Sequence, residues 1–468
     1  MTSNRRRFLA AIGTTASVVL PGSSLFDFKM LAGSPFVRRD VGGLSATDPI
    51  ITSYQNAITA MQVLPPTDPR SWSYQAAIHG TTATPVMTAW NTCQHGTHLF
   101  WAWHRMYLYW FERIVRAMAG DSSWALPYWN WTSETKLPSM FRVTTSNLYT
   151  PFRDPNINNG SGSLPATDVN YTYAFPELNY YSAQSMLEGT PHGAVHGDVG
   201  GFPNGSPGWM TTVPTAAQDP IFYLHHANMD RLWDLWLAQG GGRSDPTSDA
   251  SWTGVTFTFF DESGSQVKMT PCDVLNAAAQ LNYTYEGEPT QVAQSCGTAP
   301  PWKFISHVLL QVPFPPNPID GDPYTFPIDA SAIFQQLQTI LTNPAQRLYL
   351  VLQGIATDKP PGATWEVYVG LPAGTAPLPS SPFYVGKLAL FGAGVRSDSH
   401  PGHPFHPAVL QFNIERAMTN VVQSGQTTVP VTFVPAGILV NGQKVPPRVQ
   451  SPITIASAQF LVMTRSRQ

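Results

Sequence analysis

Histidines are the residues of this sequence whose number and spacing most directly indicate chemistry. A buried imidazole needs either hydrogen-bond partners for its ring nitrogens or a metal ion. Eight of the 12 histidines fall in two groups, the first being His79, His95, His98 and His104 and the second His192, His196, His225 and His226. Imidazoles without a thiolate pair favour copper, zinc, iron or nickel over magnesium or calcium, and two three-histidine sites side by side suit a pair of copper ions.

The second group lies on segments with helical patterns. His192 and His196 are four residues apart, which places both on one face of a helical turn, a common arrangement for a metal site. The pair His225 and His226 precedes apolar residues that recur at about helical spacing, namely Leu232, Leu235 and Trp236. The sequence therefore predicts a buried helix that presents at least one of these two imidazoles to the interior.

Three further helical patterns surround the first group, at residues 51–63, 71–79 and 99–118. The second of them ends in His79. The third is strongly apolar and lacks Pro and Gly, so it is expected to form a buried helix that carries His104. His95 lies just before this helix, whereas His98 is interpreted as a structural or surface residue. Residues 144–180, rich in Asn, Pro, Gly and Ser, are predicted to form a long surface loop.

Composition bounds the class of protein. With 468 residues, the chain is long enough for two or three domains and a sizeable core. Only 12% of its residues are charged and 12% are aromatic, which is typical of a compact, loop-rich globular protein. The formal net charge of -3 gives no electrostatic basis for binding nucleic acid or an anionic membrane, and three cysteines exclude a disulfide-built scaffold.

The N-terminus, residues 1–30, is similar to a twin-arginine export signal. Three consecutive arginines, Arg5 to Arg7, precede a run of apolar and small residues from Ala10 to Leu20. Such signals are read by a translocase that moves folded proteins, often with a metal cofactor already bound. We therefore expect a periplasmic or secreted bacterial protein, with the twin-arginine translocase as its partner during export. A frayed basic N-terminus is the alternative.

The spacing of the histidines resembles the type-3 copper family of tyrosinases, catechol oxidases (polyphenol oxidases) and mollusc-type haemocyanins. The pattern His-(x8)-His-Arg at residues 95–105 resembles the first copper motif of this family. The second motif is resembled by His-(x3)-His at residues 192–196 and by Asp-Pro-x-Phe-x-x-His-His-x-x-x-Asp-x-x-Trp at residues 219–233. The resemblance implies two copper ions, one bound by His79, His95 and His104 and the other by His192, His196 and His226.

The same resemblance implies roles for four residues beside the ligands. His225 is expected next to the second copper without binding it, because the family uses the second histidine of the pair. In the family, Glu188 and the residue at position 193 are expected to hold a water that deprotonates the phenol. This chain has Gly193 where many tyrosinases have Asn, so it offers no side chain to help Glu188 hold that water. A helix-start carboxylate is the other interpretation of Glu188. Val213 stands where plant catechol oxidases often have a Phe over the pocket mouth, so its smaller side chain is expected to admit monophenols.

The three cysteines have two separate interpretations. Cys93 stands two residues before His95, as in fungal tyrosinases, where such a cysteine forms a thioether to the imidazole carbon. The resemblance therefore implies a thioether between Cys93 and His95, and a small buried hydrophobe is the alternative. Cys272 and Cys296 either pair across the domain boundary or remain two free thiols.

The resemblance also implies the layout of a plant-type polyphenol oxidase. Residues 251–262 are similar to the segment that follows the copper domain in plant-type enzymes, and residues 281–285 resemble the Tyr-x-Tyr motif that closes that domain. Residues 345–391 alternate as strands. We expect an export signal at 1–30, a dicopper domain at 36–296, a linker at 297–302 and a β domain at 303–468. The expected fold is a mainly α copper-binding domain with a four-helix-bundle core and long loops, followed by a C-terminal β-sandwich-like domain. In the family this second domain covers the active site and keeps the enzyme latent until it is cleaved.

Together these features predict an exported dicopper oxidase that uses O2 to hydroxylate monophenols and to oxidise o-diphenols to o-quinones, the diphenol reaction being faster. Its expected partners are O2 and small phenols and catechols. An o-aminophenol oxidase with the same site is the alternative. A haemocyanin-like O2 carrier is disfavoured by the export signal and the single copy of the domain, and a zinc hydrolase by the lack of an H-E-x-x-H motif.

Overall fold

Two hydrophobic cores organise the chain, of which a computed structural model describes residues 34–289, 294–399 and 404–467. The first core is built mainly from residues between Val41 and Tyr285, and the second from residues between Phe314 and Val462. The predicted export signal, residues 1–30, lies outside the described residues. The exact residues at which one domain ends and the next begins, 296 and 303, stay predictions.

The first core is mainly helical. Its helices are α1 Pro49–Gln62, α2 Trp72–His79, α3 Phe100–Ala119, α4 Pro155–Asn159, α5 Tyr180–Leu187, α6 Ala194–Gly200, α7 Val213–Ala216, α8 Ile221–Ala238, α9 Ala250–Thr253 and α10 Ala277–Leu281. Short strands accompany them, namely β1 Phe36–Arg38, β2 Gly162–Ser163, β3 Phe257–Phe260, β4 Gln266–Met269 and β5 Tyr283–Tyr285. The predicted helices around the first histidine group agree with α1 to α3 within two residues at each end. No helix of the described residues is long and apolar enough to cross a membrane.

Local signals explain where helix α2 begins and ends and where helix α3 ends. The hydroxyl of Ser71 caps α2 by accepting a hydrogen bond from the Tyr74 amide at 3.1 Å. Gly80, in an extended conformation, ends α2 directly after His79. Helix α3 ends at Gly120, whose φ of 65° is a left-handed conformation that glycine adopts without strain. These caps place His79 at the last position of its helix.

A buried ion-pair network fixes α3 against α8. Arg105 on α3 donates to the carboxylates of Asp230 and Asp234 on α8, and all three side chains are at most 10% exposed. Removing one partner of such a buried pair costs about 3–5 kcal/mol, so the two helices have little freedom to slide. Since Arg105 follows His104 and Asp230 lies one helical turn after His226, the network also sets the distance between the two histidine groups.

The second core lies between two four-stranded antiparallel sheets. Its elements are β6 Trp302–Pro313, β7 Tyr324–Asp329, α11 Phe334–Thr342, β8 Gln346–Ile355, β9 Thr364–Val369, β10 Tyr384–Leu388, β11 Ala408–Asn413, α12 Glu415–Gln423, β12 Thr428–Ala436, β13 Leu439–Val440, β14 Gln443–Lys444 and β15 Ser457–Arg467. One sheet has the order β10-β9-β12-β7 and the other β11-β8-β15-β6. Leu350, Val367 and Phe460 from the two sheets belong to one apolar cluster. The predicted fold, a mainly α domain followed by a β-sandwich-like domain, is confirmed.

Residues 144–180 were predicted to form a surface loop, and this prediction is only partly right. Leu148, Leu164 and Val169 are buried in the first core. Arg153 is fully buried and donates to both carboxylate oxygens of Asp219 at 2.7 Å. The many polar residues of this segment suggested an exposed loop. Arg153 can nevertheless be buried because its charge is paired with Asp219, a residue far away in the sequence that composition does not reveal. In the same segment β2 pairs with β13. This pairing joins the helical part of the chain, residues 36–285, to the part that contains the two four-stranded sheets, residues 302–467, which is called the second part below.

The structure decides the alternative left open for two of the cysteines. Cys272 and Cys296 form a disulfide, with their Cα atoms 5.7 Å apart. The third, Cys93, is free and buried.

Candidate metal centre

Six imidazoles converge at the middle of the helical part, in two facing triads. In the first triad the ring centroids are 5.2 Å apart for His79 and His95, 5.2 Å for His95 and His104, and 5.9 Å for His79 and His104. In the second they are 4.6 Å apart for His192 and His196, 5.0 Å for His192 and His226, and 5.4 Å for His196 and His226. Across the gap, the rings of His104 and His226 stack with centroids 4.3 Å apart. The structure thus brings together all six predicted ligands.

Backbone carbonyls hold four of these rings in one orientation. The Nδ1 atom lies within hydrogen-bond distance of the carbonyl of Val213 for His79 (3.1 Å), of Phe100 for His104 (2.8 Å), of Glu188 for His192 (3.0 Å) and of Met210 for His196 (2.8 Å). A carbonyl only accepts, so in each neutral ring the proton is on Nδ1. The lone pair is therefore on Nε2, which is the form that binds a metal ion.

The free lone pairs fit a metal ion. The Nε2 atoms of His104 and His192 are buried and form no hydrogen bond with any residue that the structure describes. The Nε2 atoms of His196 and His226 lie 3.2 Å apart. Two nitrogens that are each about 2.0–2.1 Å from one ion in tetrahedral geometry lie about 3.3 Å apart. The donor set therefore suits a metal that prefers imidazole, copper among them.

Burial keeps the imidazoles neutral. It lowers the pKa of His104, His196 and His226 well below the usual value, and the neighbouring imidazoles lower these pKa values further. Burial also lowers the pKa of His192 to about 3. A metal ion competes with protons for a nitrogen lone pair, so low pKa values leave these rings ready to bind metal at neutral pH.

The predicted thioether partners are close together. The sulfur of Cys93 lies within 4.8 Å of ring nitrogens of His79 and His95. Burial raises the pKa of the Cys93 thiol well above its usual value, and the carboxylates of Asp398 and Glu188 add to this shift. Cys93 is thus a buried, protonated thiol beside the first triad. The covalent link to His95 stays a prediction.

Glu188 and Gly193 lie on the turn that carries His192. This turn, Glu188–Gly193, is π-helical and continues into α6, which carries His196. The carboxylate of Glu188 accepts a hydrogen bond from the Gly96 amide at 2.5 Å, and burial raises the pKa of Glu188 to about 8. A side chain at position 193 would meet Ala389 and Phe391 of the second part at 3.7 Å.

Val213 and His225 lie against the ligands. Val213 is fully buried, and its carbonyl accepts from the Nδ1 of His79. His225 is also fully buried, and its ring is 4.8 Å from that of His196 between centroids. The predicted roles of both residues stay predictions. His98, interpreted as a structural or surface residue, pairs its Nε2 with the Ser251 carbonyl at 3.3 Å, outside both triads.

Sequence reasoning missed Phe391. This residue belongs to residues 389–394, the capping loop, which follows β10 in the second part. The ring of Phe391 is 5% exposed and stacks on His196 with centroids 3.7 Å apart. Gly392 approaches the ring of His95 so closely that a Cβ would lie 2.4 Å from it. The sequence shows that Phe391 is followed by glycines directly after a predicted strand, which could have indicated a close approach to another part of the chain. Only the tertiary fold shows that Phe391 lies over the histidines.

Buried polar contacts hold the second part on the first. Lys387 of β10 forms an ion pair with Asp168, and both side chains are fully buried. The carboxylate of Glu177 accepts from the Tyr349 hydroxyl at 2.5 Å and from the Asn413 amide at 3.2 Å. Each of these buried groups has its partner only while the two parts stay together, because the partner belongs to the other part. The contacts therefore favour the associated arrangement.

Another such contact lies next to Val213. The carboxylate of Asp398 accepts from the Val213 amide at 3.3 Å, and burial raises the pKa of Asp398 to about 7.

Comparison with known protein families gives two matches. Residues 69–170 and 152–239 match the common central domain of tyrosinase. Residues 247–295 match the middle domain of polyphenol oxidase. All six candidate ligands lie within the first match.

Curated relatives come from bacteria and plants. The chain is similar to the tyrosinase HcTyr1 of a Hahella species, with 34% identity over 51% of this chain and 61% of that protein. It is similar to the chloroplastic polyphenol oxidase of Malus domestica, with 27% identity over 91% of this chain and 80% of that protein. A latent polyphenol oxidase of Prunus armeniaca is also similar, and the alignment covers 48% of its length. The chain thus spans about half to three fifths of the length of these relatives from Hahella and Prunus armeniaca.

Solved structures show the same fold. Latent apple tyrosinase matches with a TM-score of 0.61 over 93% of this chain and 100% of that chain, at 21% identity. A latent aurone synthase matches with a TM-score of 0.64 over 93% of this chain and 92% of that chain, also at 21% identity. These matches include both the helical core and the β-sandwich.

Proposed function

Because this chain belongs to the tyrosinase and polyphenol oxidase family, we propose that it is a dicopper oxidase of phenols and catechols that uses O2. The observation that carries this proposal is the pair of facing histidine triads, buried and neutral, inside the tyrosinase central domain. The family implies copper as the metal. The ring distances place three imidazoles on each side of one gap, so that two ions held there could act on one substrate.

Each triad would hold one copper ion. His79, His95 and His104 would bind the first, and His192, His196 and His226 the second. Copper bound there supplies the affinity for O2 and the capacity to take electrons from an aromatic ring. The chain itself holds the imidazoles at fixed positions through the carbonyls of Val213, Phe100, Glu188 and Met210, and its burial of the site excludes bulk water.

Two overall reactions fit such a site. Two catechols each lose two electrons and two protons to become o-quinones, and one O2 takes up all four electrons and four protons as two waters. A monophenol takes one oxygen atom of O2 into the ring ortho to its hydroxyl, the other atom leaves as water, and the product is again an o-quinone. The o-diphenol reaction is expected to be the faster, because catechols lose protons more easily.

Glu188 is proposed to help deprotonate the phenol. Its raised pKa of about 8 makes the ionised carboxylate a stronger base than an ordinary glutamate. The Gly96 amide holds the carboxylate in place. Gly193 lacks the side chain that would help Glu188 to position a water, whereas the small side chain of Val213 favours entry of monophenols. We therefore propose both activities.

The second part of the chain is proposed to keep the enzyme latent. The capping loop places Phe391 where a substrate ring would have to lie, stacked on His196 and close to His192 and His95. An aromatic substrate cannot share this space, so oxidation requires that the loop move away or be removed by proteolysis. Export through the twin-arginine pathway to the periplasm or medium, as the sequence predicts, would deliver the folded, metal-loaded chain.

Copper quantitation with paired substrates tests the proposal. The purified full chain is loaded with copper, and its copper content and its oxidation of a monophenol and of the matching catechol are measured before and after limited proteolysis. We expect two copper ions per chain, oxidation of both substrates after cleavage, and a faster reaction with the catechol. Zinc in place of copper, or no oxidation of either substrate after cleavage, would contradict the proposal.

A further inference from the structure

His225 differs from the neighbouring histidines in where its proton must lie. The indole Nε1 of Trp131 donates to its Nδ1 at 3.2 Å. An indole nitrogen is only a donor, so Nδ1 of His225 must be an acceptor. In a neutral imidazole the proton is then on Nε2.

This arrangement is opposite to that of four predicted ligands. His79, His104, His192 and His196 carry the proton on Nδ1, which leaves the Nε2 lone pair for metal. A ring nitrogen of His225 lies within 4.8 Å of ring nitrogens of His192, His196 and His226, so distance alone would allow a fourth ligand. Neither nitrogen is free to bind a metal ion, because the Nδ1 lone pair accepts from the indole and the protonated Nε2 has no lone pair.

The N–H of His225 has no acceptor of its own in the protein. Its Nε2 is buried and forms no hydrogen bond within residues 34–289, 294–399 and 404–467. A buried donor without an acceptor costs about 1–3 kcal/mol, which is a reason to look for a bound group that accepts from it. With Nδ1 occupied by the indole, Nε2 is the ring nitrogen of His225 that can donate to a bound group.

We propose that His225 donates this hydrogen bond to an anion held at the second triad, and that Trp131 sets the tautomer that allows it. The inference rests on the proposed function, because the anion would be held there by the metal of that triad. Small anions and ionised phenol oxygens share the required chemistry, a negative charge with a free lone pair. His225 would thus favour the ionised form of a ligand without adding a fourth nitrogen to the metal.

The tautomer is measured without any metal. Nitrogen-15 spectra of the histidine-labelled, metal-free full chain separate rings protonated on Nε2 from rings protonated on Nδ1. We expect His225 protonated on Nε2 in the wild type, with the other form appearing after Trp131→Phe. Trp129→Phe is the matched control, because that indole donates to the Glu134 carbonyl at 2.8 Å and not to a histidine. Protonation of His225 on Nδ1 in the wild type would overturn the inference.

Anion binding is measured on the copper-loaded full chain with azide as the probe. In His225→Phe we expect two copper ions per chain, as in the wild type, and azide affinity lower by about tenfold or more, the effect of losing one hydrogen bond to a charged group. Trp131→Phe is expected to lower the affinity less, since the N–H is then present in part of the molecules. His98→Phe, a change outside both triads, serves as the control.

The outcomes separate this inference from the proposed function. Loss of one copper ion in His225→Phe would show that His225 is a ligand and would overturn the inference. Unchanged azide affinity with full copper content would show that the ring only fills space and would overturn it as well. A wild-type chain that takes up no copper would refute the proposed function, while the metal-free spectra would still decide the tautomer of His225.

Discussion

The phenyl ring of Phe391 stacks on the imidazole of His196, with the ring centroids 3.7 Å apart and the planes inclined by 11°. The two residues come from the two different parts of the chain, almost 200 positions apart in the sequence. A residue of the β-sandwich therefore lies within the histidine cluster and belongs to the core of the helical part. The candidate site is closed by its own chain.

Truncating Phe391 is expected to open the site. In the intact chain, Phe391→Ala should raise the turnover of a catechol by about tenfold or more, equivalent to about 1.4 kcal/mol, because the space over His196 becomes free. Copper content should not change, since Phe391 supplies no ligand atom. Phe405→Ala, which removes a half-buried Phe of the same part, is the control and should leave turnover as it was. Equal turnover in Phe391→Ala and wild type would contradict the proposed latency.

Loss of single ligands is expected to halve the metal content. His104→Ala and His226→Ala each remove one nitrogen from a different triad, so each variant should retain about one copper ion per chain and lose oxidation of both substrates. His98→Ala removes a histidine that pairs with the Ser251 carbonyl and should retain both ions. Elemental analysis of the purified variants gives the result. Two ions in both ligand variants would refute the assignment.

The thioether is expected to appear as a loss of mass. Forming a bond between the Cys93 sulfur and a ring carbon of His95 breaks one S–H and one C–H bond and releases two protons and two electrons, which O2 takes up during copper maturation as hydrogen peroxide. Copper-matured protein should therefore be about 2 Da lighter than the metal-free protein. Intact-mass measurement under conditions that keep the Cys272–Cys296 disulfide in both samples isolates this change. Peptide mapping that recovers alkylated Cys93 from matured protein would show that the bond does not form.

The buried ion pair between Lys387 and Asp168 is expected to contribute strongly to the stability of the folded chain. Lys387→Met leaves Asp168 charged and without its partner in a fully buried position, which should cost about 3–5 kcal/mol of stability. The variant should unfold at lower denaturant concentration and be cleaved faster between the two parts. Adding Asp168→Asn should restore much of the loss, because no unpaired charge then remains.

Asp358→Asn provides the comparison for this ion pair. Asp358 pairs with Arg396 at 3.6 Å, and the two side chains are 90% and 55% exposed, so the change should cost about 1 kcal/mol or less. Equal effects of Lys387→Met and Asp358→Asn would show that the Lys387–Asp168 pair contributes no more than a surface pair.

Latency is expected to weaken as pH rises towards neutrality. Burial raises the pKa of Asp398 to about 7 and outweighs the hydrogen bond from the Val213 amide, which lowers it. The closed form therefore binds this proton more tightly than a form in which Asp398 is solvated. The contribution to closure is therefore fully present below about pH 4 and is lost as pH rises to about 7. Asp398→Asn removes this dependence because an amide does not ionise.

The test of this pH dependence is a ratio of rates. Catechol oxidation by the intact wild type, divided by that of Asp398→Asn, should increase between pH 5 and pH 8. Asp358→Asn, which alters a highly exposed carboxylate of the same part, should give a constant ratio to wild type. A constant ratio for Asp398→Asn as well would show that this carboxylate does not control closure.

The sequence by itself predicted which six histidines lie close together and most of the local structure around them. His79 ends a helix because Ser71 and Gly80 cap that helix, and the four-residue spacing of His192 and His196 already implies a shared face. The apolar periodicity after His226 predicted α8 for the same reason. These signals are local, so they follow from the backbone geometry of a helical turn and from hydrophobic patterning.

The tertiary structure alone decided which distant residues complete and close the site. The sequence does not show that Phe391 reaches His196, that Trp131 meets His225, or that Lys387 is neutralised by Asp168. Each of these contacts joins segments 90 or more residues apart, and each depends on how two packed layers are oriented relative to each other. The identity of one residue does not predict its distant partner, because burial and charge pairing are properties of the folded chain as a whole.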